Sequence, residues 1–268
     1  MMTETKNGVV VFLDALGVSD YDQDKCRDFI DKKYKIRNRL EEATTKWKMR
    51  IQKDLKKTLL EPNIATFQDS IILWWPKQEE NSLHFFCGAC DIVKAILHLA
   101  FEERIFLRGA ISVGEYIYDD SPTNVTIIGQ AVTDAYKHHD ITDWIGVIQT
   151  PTFEREYHSL LESIAKKKGL HPEQVIEHWE MEYVLCNIPL HKEKNKFETL
   201  SRKKFFAVSW PQLTYQIEEN WNDNPYIQIL LDESIRPENA KYKSKYLNSL
   251  EFAKWYKKSG KYYPNPDK

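Results

Sequence analysis

Two aspartates are the residues of this sequence whose placement best suits chemistry. Asp14 follows an apolar run at residues 9–13, and Asp69 lies in a tight polar turn at residues 68–70. If the strands that lead to them are neighbours, both carboxylates converge at one edge of a sheet. Two close carboxylates repel each other, so a hard divalent cation such as Mg²⁺ or Mn²⁺ would stabilise them together. The pair predicts a metal site, although either aspartate alone is equally typical of a turn or a helix cap.

The segment that follows Asp14 has the composition of a phosphate-binding loop. Residues 15–18 read Ala-Leu-Gly-Val and lead from a predicted strand into a predicted helix. Gly17 carries no Cβ, so the backbone N–H groups around it are open to an anionic ligand. Protein-bound Mg²⁺ is commonly held by one or two carboxylates together with phosphate oxygens. Metal ligands beside open amides are the components that phosphoryl transfer requires.

Secondary-structure signals predict the elements that position these residues. The run at 9–13 is continuous and apolar, which is typical of a central strand buried on both faces. Residues 64–75 predict two strands joined by the turn at 68–70. Amphipathic helices are predicted at about 22–60, 82–103 and 130–138, and further strands at 105–116, 125–129 and 144–150. This alternation predicts an α+β fold, a mixed sheet with helices on one face.

The signals weaken beyond residue 150, which predicts a catalytic domain at 1–150 and a C-terminal extension at 151–268 packed on it. The extension is predicted to mix helix and strand. Its predicted helices lie at 151–168 and 249–258, and its predicted strands at 183–188 and 205–210. No motif indicates what the extension does.

Four blocks of sequence carry a family resemblance through their order and separation. They are VVVFLDALG at 9–17, FQDSI at 67–71, LRGAISVGE at 107–115 and GQAVTDAYKHH at 129–139. Together they resemble the class III nucleotide cyclase catalytic domain, most closely the bacterial pyrimidine nucleotide cyclases of Pycsar antiphage systems. The resemblance covers roughly the first 150 residues. It implies a ferredoxin-like class III cyclase fold and a second-messenger generator in antiphage defence.

The resemblance implies that the protein binds metal ions and forms a homodimer. Asp14 and Asp69, with the carbonyl of Ala15, would bind two Mn²⁺ or Mg²⁺ ions per site. The family's active sites lie between two protomers arranged head to tail. A homodimer with shared active sites is therefore implied.

The resemblance also implies how the substrate is bound. The amides of Leu16, Gly17 and Val18 would hold the β- and γ-phosphates, and Arg108 would contact the triphosphate. The ribose 3′-hydroxyl, activated by one metal ion, would attack the α-phosphorus and expel pyrophosphate.

Departures from the family pattern bear on the base and on catalysis. Thr133 and Lys137 stand where adenylate and guanylate cyclases carry an Asn and an Arg that orient the ribose and stabilise the transition state. Lysine has the positive charge of arginine but lacks the planar guanidinium, which can donate two parallel hydrogen bonds. The purine-reading positions correspond to Ala65 and Thr126, and neither residue can play that part. The expected substrate is therefore a pyrimidine nucleoside triphosphate, UTP before CTP. A catalytically silent nucleotide-binding or regulatory module, and a purine cyclase with an unusual pocket, stay open as alternatives.

Other motifs indicate structure instead of chemistry. Cys87 and Cys90 match C-x-x-C, but they lie inside a predicted helix without a second pair, which indicates buried cysteines. His138 and His139 are adjacent on a predicted helix and point about 100° apart, so they cannot both face one site, and a solvated helix end is predicted. The sequence contains neither a phosphate-binding P-loop motif nor a dinucleotide-binding glycine motif.

Composition excludes further classes of function. The chain has 268 residues, of which 42% are hydrophobic, and this predicts a sizeable core. A formal net charge of −2 leaves no electrostatic footprint for nucleic acid. No apolar run is long enough to span a bilayer, and the N-terminus is polar. With four scattered cysteines, these features predict a cytoplasmic protein that binds neither nucleic acid nor membrane.

Overall fold

The computed structural model describes residues 5–55, 62–77, 82–121, 124–172, 175, 183–190, 202–211 and 224–259. The strands in these ranges are β1 Thr5–Ala15, β2 Asn63–Phe67, β3 Ser70–Pro76, β4 Leu107–Ser121, β5 Asn124–Ile128, β6 Gly146–Gln149, β7 Tyr183–Pro189 and β8 Arg202–Val208. The helices are α1 Gln23–Leu55, α2 Ser82–Glu102, α3 Gln130–His138, α4 Pro151–Lys168, α5 Pro225–Ile235 and α6 Lys243–Ser259. No helix in this described part is both long and apolar enough to cross a membrane.

The strands form one mixed sheet in the order β2-β3-β1-β4-β6-β8-β7, with β5 paired to β4. Strand β1 pairs antiparallel with β3 on one side and with β4 on the other. Its residues Val9, Val10 and Val11 are fully buried, which confirms the predicted central strand. Strands β4 and β6 are parallel, and such a pair requires a crossover, which here contains α3. The α+β class with a mixed sheet is confirmed.

One face of the sheet packs against most of the helices. Val9, Val11 and Leu13 of β1 share a single hydrophobic core with residues of α1, α2, α4, α5 and α6. Aromatic rings fill the space between sheet and helices, as where Phe86 of α2 meets Phe153 of α4 edge-on at 4.9 Å between ring centroids. Helix α2 also buries Cys87 and Cys90, as predicted, and Cys90 belongs to this core.

The other face carries helix α3, which the prediction of helices on a single face did not include. Val10 and Phe12, which alternate with the core-facing residues of β1, form a second cluster with Ala131 and Ala135 of α3. Two alanines four residues apart let the helix lie close to the strands. The one-sided prediction holds for the other predicted helices, α1, α2, α4 and α6, but not for α3.

The C-terminal region continues the sheet and the core. Strand β8 pairs with β6 through Ile148 and Ala207, and β7 forms the edge beyond it. Helix α6 begins at Lys243, six residues before the predicted start. Helix α5 was not predicted, although Asn224 and Pro225 are a typical helix start: the Asn224 side chain accepts hydrogen bonds from two following amides.

The first long helix was predicted to reach residue 60. Helix α1 is described to Leu55, and residues 56–61 lie outside the described part of the chain.

Candidate active site

The hairpin between β2 and β3 carries Asp69. The two strands pair up to Phe67 and Ser70, so Gln68 and Asp69 form a two-residue turn. Gln68 has a φ of 46°, in the left-handed region that two-residue hairpin turns use. The Asp69 carbonyl accepts a hydrogen bond of 3.0 Å from the amide of Ala15. This bond ties the turn to the end of β1.

Strand β1 brings Asp14 to the same edge of the sheet. In the strand register Asp14 lies opposite Ser70 of β3 and opposite Arg108 of β4. Asp14 is therefore one position from the turn that holds Asp69. The structure thus brings together the two aspartates that the sequence singled out, and it adds Arg108 beside them.

Arg108 forms an ion pair with Asp14. Its Nε and Nη2 both donate to Oδ2 of Asp14, at 3.2 and 3.1 Å. The two side chains are only 16% and 15% exposed, so water screens the pair weakly. A guanidinium has five N–H donors, and the remaining ones can still meet a phosphate.

Burial dominates the ionisation of Asp14. It raises the pKa of the carboxyl above its ordinary value of 3.8, and the nearby charge of Asp69 acts in the same direction. Arg108, and to a smaller extent His139, favour the ionised form without fully offsetting burial. A second positive charge at this edge would favour ionisation of both carboxylates. This is the electrostatic setting that suits a divalent cation.

The ligands available for such a cation are hard oxygen donors. The described residues hold no group of three or more His, Cys, Asp or Glu side chains arranged around one point. A metal ion at this edge would therefore rely on Asp14, Asp69 and the Ala15 carbonyl, with the remaining ligands from water or a bound phosphate. That composition fits Mg²⁺ or Mn²⁺, which commonly retain such outer ligands.

The loop after Asp14 presents fewer open amides than the sequence suggested. The Leu16 amide donates to the Phe106 carbonyl at 2.9 Å, so it is already used. Gly17 has a φ of 87°, and a short 3₁₀ turn, Val18–Asp20, follows it. Among the described residues no backbone carbonyl accepts from the amides of Gly17 and Val18. Of the three amides expected to bind the phosphates, those of Gly17 and Val18 therefore stay candidates.

Lys33 is a neighbour of the site that sequence reasoning missed. Its Nζ donates to the carbonyl of Gln68 at 2.6 Å, across 35 residues of sequence. Burial lowers the pKa of Lys33, and the charge of Asp69 opposes that shift. The contact braces the turn that carries Asp69. No sequence signal marks Lys33, because it is one of many charged residues along α1.

Thr133 and Lys137 are not part of this cluster within one protomer. Both are exposed on α3, one helical turn apart, with Tyr136 on the same exposed side. Within the described ranges, neither side chain forms a hydrogen bond or ion pair with Asp14, Asp69 or Arg108. The helix presents them outwards, where a second molecule can meet them.

Asp134 fixes the orientation of α3. Its Oδ2 accepts from the hydroxyl of Ser112 on β4, at 2.8 Å, and from the hydroxyl of Thr152 on α4. Burial alone would raise the pKa of Asp134, but the hydrogen bonds from Thr152, Ser112 and Thr150 together hold it below its ordinary value. These bonds set the rotation of α3, and hence the direction in which Thr133 and Lys137 point.

His139 corrects a sequence prediction. The predicted solvated histidine pair is wrong for this residue, because the chain turns after α3 and buries the ring. The ring lies 4.9 Å from that of Phe12 and stacks on Tyr136 at 5.1 Å. Its Nδ1 donates to the Tyr136 carbonyl. The His139 ring therefore packs against the end of β1 through Phe12.

Comparisons with known proteins add little to this geometry. No protein-family model and no curated protein matches the chain. It is similar to the non-canonical dimeric guanylyl cyclase domain of the RhoGC fusion protein from the aquatic fungus Blastocladiella emersonii, at 11% identity over 77% of this chain and 98% of that one, with a TM-score of 0.44. It is also similar to a bacterial light-regulated adenylyl cyclase, at 13% identity over 78% of this chain and 53% of that one, with a TM-score of 0.37. Likeness at this level carries no argument for function, which rests on the residues of the site.

Proposed function

We propose that this protein is a metal-dependent nucleotide cyclase. It converts a pyrimidine nucleoside triphosphate, UTP in preference to CTP, to the 3′,5′-cyclic monophosphate and pyrophosphate. The observation that supports this most is the convergence of Asp14 and Asp69 at one edge of the sheet. The order of the four sequence blocks resembles that of class III nucleotide cyclases, and this supports cyclisation as the type of reaction. The same resemblance suggests that the product is a second messenger in antiphage defence.

The carboxylates serve the metal ions in this proposal. Asp14 and Asp69, with the Ala15 carbonyl, would hold two Mn²⁺ or Mg²⁺ ions, which would supply activation of the 3′-hydroxyl and charge neutralisation at the phosphates. Asp14 is buried enough that its ionised form is disfavoured alone, and Arg108 keeps it oriented. Lys33 holds the Gln68 carbonyl and so keeps the Asp69 turn in place.

The triphosphate lies along the loop and Arg108. The amides of Gly17 and Val18 donate to its non-bridging oxygens, and the Leu16 amide anchors the loop through Phe106. The spare donors of Arg108 bind a phosphate oxygen. With the phosphates held in this way, the ribose 3′-hydroxyl loses its proton to water as its oxygen bonds to the α-phosphorus, and the bond from that phosphorus to the bridging oxygen breaks to release pyrophosphate. Cyclisation is then an intramolecular displacement that depends on positioning.

A second protomer completes each site in this proposal. Thr133 and Lys137 are exposed on α3, and among the described residues neither bonds to Asp14 or Asp69, so in this proposal they act on a nucleotide that a partner molecule holds. Lys137 would stabilise charge on the transferring phosphoryl group, and Thr133 would orient the ribose. The assembly is a homodimer with two shared sites.

The base preference follows from what the purine-reading positions lack. Ala65 is half-buried on β2 and has no polar atom on its side chain, while Thr126 is exposed on β5. An alanine and a short hydroxyl cannot recognise a purine ring in the way that a lysine and a carboxylate can. A smaller base is therefore favoured.

One experiment tests the reaction. The purified chain is incubated with Mn²⁺ and each of the four nucleoside triphosphates, and products are identified by mass spectrometry. Formation of cyclic UMP, with less cyclic CMP, is the expected result. Release of no pyrophosphate from any of the four would sink the proposal, and a cyclic purine product would replace the pyrimidine part of it.

A silent nucleotide-binding module is the alternative that one observation favours. The Asp14 carboxylate is already paired with Arg108, and a regulatory module could use that pair only to shape a phosphate site. Calorimetry with a non-hydrolysable UTP analogue separates the two functions. A silent module binds the analogue and never turns over UTP, whereas the cyclase does both.

A further inference from the structure

A segment from the far end of the chain lies against the proposed phosphate loop. This segment is the 3₁₀ turn Pro237–Tyr242, between α5 and α6. Lys241 forms an ion pair with Asp20, at the end of the Val18–Asp20 turn. The hydroxyl of Tyr242 donates to the same carboxylate at 3.3 Å. The C-terminal region therefore reaches the loop that follows Asp14, more than 200 residues earlier in the sequence.

The ring of Tyr242 packs on Gly17 itself. A Cβ at residue 17 would lie 3.4 Å from the nearest ring carbon, which is an ordinary van der Waals distance. Tyr242 belongs to the edge of the main core, so the ring is a fixed surface beneath the loop. Glycine is favoured at residue 17 by its left-handed φ of 87°, and the Tyr242 ring lies in contact with it.

The 3₁₀ turn is held in place from the opposite side. The Asn239 side chain donates to the carboxylate of Glu233 at 2.6 Å. Glu233 is 5% exposed and also pairs with Arg104, at 2.6 Å, and with Arg236, at 3.4 Å. Arg104 lies between α2 and β4, so the network fastens the turn to the sheet. Lys241 is presented by a rigid element and not by a loose tail.

The ion pair that Lys241 makes is weak enough to be exchanged. The Lys241 and Asp20 side chains are 52% and 54% exposed, and exposed pairs contribute little to stability. A triphosphate carries several negative charges, so it attracts an ammonium more strongly than a single carboxylate does. Lys33, the other lysine near the site, is half-buried and donates to the Gln68 carbonyl, which leaves it less free to move.

We propose that Lys241 is a triphosphate-binding residue of the nucleotide site, contributed by the C-terminal region, and that Asp20 is its partner when no nucleotide is bound. The proposal rests on the assignment of the Gly17–Val18 loop to the phosphates. When the triphosphate binds, the Lys241 ammonium moves from Asp20 to the terminal phosphate, and Tyr242 keeps the loop in place. The extension is then part of the substrate site.

In this exchange Asp20 competes with the triphosphate for the Lys241 ammonium. The proposal therefore predicts the direction in which replacing Asp20 changes triphosphate binding. Replacing Asp20 with Asn removes the charge that Lys241 must leave and also removes a negative charge near the phosphates. Triphosphate binding then becomes tighter or stays the same. If the Lys241–Asp20 pair served only to shape the loop, the same substitution would weaken binding.

The experiment measures binding of tripolyphosphate with Mn²⁺ to the full chain by calorimetry, which requires no turnover. Three variants are compared with wild type: Lys241→Ala, Asp20→Asn and Lys243→Ala. Lys243 is exposed, two residues from Lys241, and loses the same charge, so it is the matched control. We expect Lys241→Ala to raise the Kd about five- to tenfold, as for loss of one charge-assisted contact at a partly exposed site. Lys243→Ala should stay within about twofold.

The possible outcomes separate failure of the phosphate-loop assignment from failure of the role proposed for Lys241. If wild type binds no tripolyphosphate, the phosphate loop assignment fails and Lys241 fails with it. If wild type binds and Lys241→Ala matches Lys243→Ala, only the role of Lys241 is overturned. Weaker binding by Asp20→Asn also overturns it, because the pair would then be structural.

Discussion

The two faces of the central sheet differ in how completely the chain covers them. One face packs against five helices and contains most of the buried aromatic residues. Among the described residues, α3 alone covers the other, open face, above a small cluster around Val10, Phe12 and Trp74. Asp14 and Arg108 belong to this second face by the alternation of β1 and β4, and they lie at its uncovered end.

The open face also presents apolar surface. Phe67, beside the Asp69 turn, is 68% exposed, and Tyr136 on α3 is 56% exposed. In the proposed homodimer these two side chains would lie in the interface. The covered face contains most of the buried core, while the open face carries the proposed active site, which in our proposal a second protomer completes. The predictions below test that division.

The largest effect is expected at the proposed metal ligands of the open face. Asp69→Asn should reduce turnover by about 10³-fold, because the metal ions lose a charged ligand. Asp14→Asn should do the same and leave the fold intact or slightly more stable, since burial disfavours the charge of Asp14. Initial rates of pyrophosphate release measure the loss. Asp232→Asn, at an exposed position of α5, is the control. Full activity in either site variant would remove the two-metal mechanism.

On the covered face the expected effect is on folding. Phe153→Ala should lower the free energy of unfolding by about 3–5 kcal/mol, because a fully buried ring is replaced by a cavity. Phe67→Ala on the open face should change it by about 0.5 kcal/mol or less in a dilute monomer. Urea unfolding measures both. Equal losses at the two positions would contradict the division between the faces.

Sharing of the site between protomers predicts complementation. Asp69→Asn and Lys137→Ala should each lack activity as homodimers. A mixed dimer restores one intact site, since Asp69 then comes from one protomer and Lys137 from the other. Random mixing of equal amounts should recover about a quarter of the wild-type rate. A mixture no more active than its components would show that Lys137 acts within its own protomer or not at all.

Disrupting the open face should dissociate the dimer without unfolding the chain. Tyr136→Arg places a charge in the proposed interface and should yield monomers by multi-angle light scattering. Tyr34→Arg, at a 61% exposed position of α1, should leave the dimer unchanged. If both variants remained dimeric, the interface would lie elsewhere.

The smallest effect is expected at Asp134, whose hydrogen bonds connect α3 on the open face to Thr152 of α4 on the covered face. Its folded pKa is lowered, so the ionised form stabilises the fold above the ordinary value of 3.8, and that stability is lost as pH falls through the lower folded value. Asp134→Asn should cost about 1–2 kcal/mol at pH 7, from weakened hydrogen bonds to Ser112 and Thr152. The difference between variant and wild type should shrink below pH 3.8. Urea titrations at pH 7 and pH 3 measure it, and a constant difference would contradict the assignment.

Local patterns predicted much of the fold and the two central residues of the site. The apolar run before Asp14 and the polar turn at Asp69 were sufficient to locate a central strand and a hairpin, because strand and turn propensities act within a few residues. The side of the sheet on which α3 packs was not predicted, since an amphipathic pattern shows that a helix has a buried face but not which surface it meets. Helix α5 was missed although Tyr226, Ile227 and Leu230 have the spacing of one helix face, because its apolar stretch is short and a short stretch does not distinguish a helix from a strand.

The sequence by itself determined the elements, the charge of the candidate ligands and the positive φ that Gly17 readily adopts. Only the tertiary structure decided which groups meet. The register of β1 with β3 and β4 sets Asp14 beside Asp69 and Arg108, and it takes the Leu16 amide out of the phosphate loop. The packing of the C-terminal region sets Lys241 beside Asp20 and Tyr242 against Gly17. These contacts join residues far apart in the chain, so their partners are chosen by the packing of the whole sheet and not by any local preference.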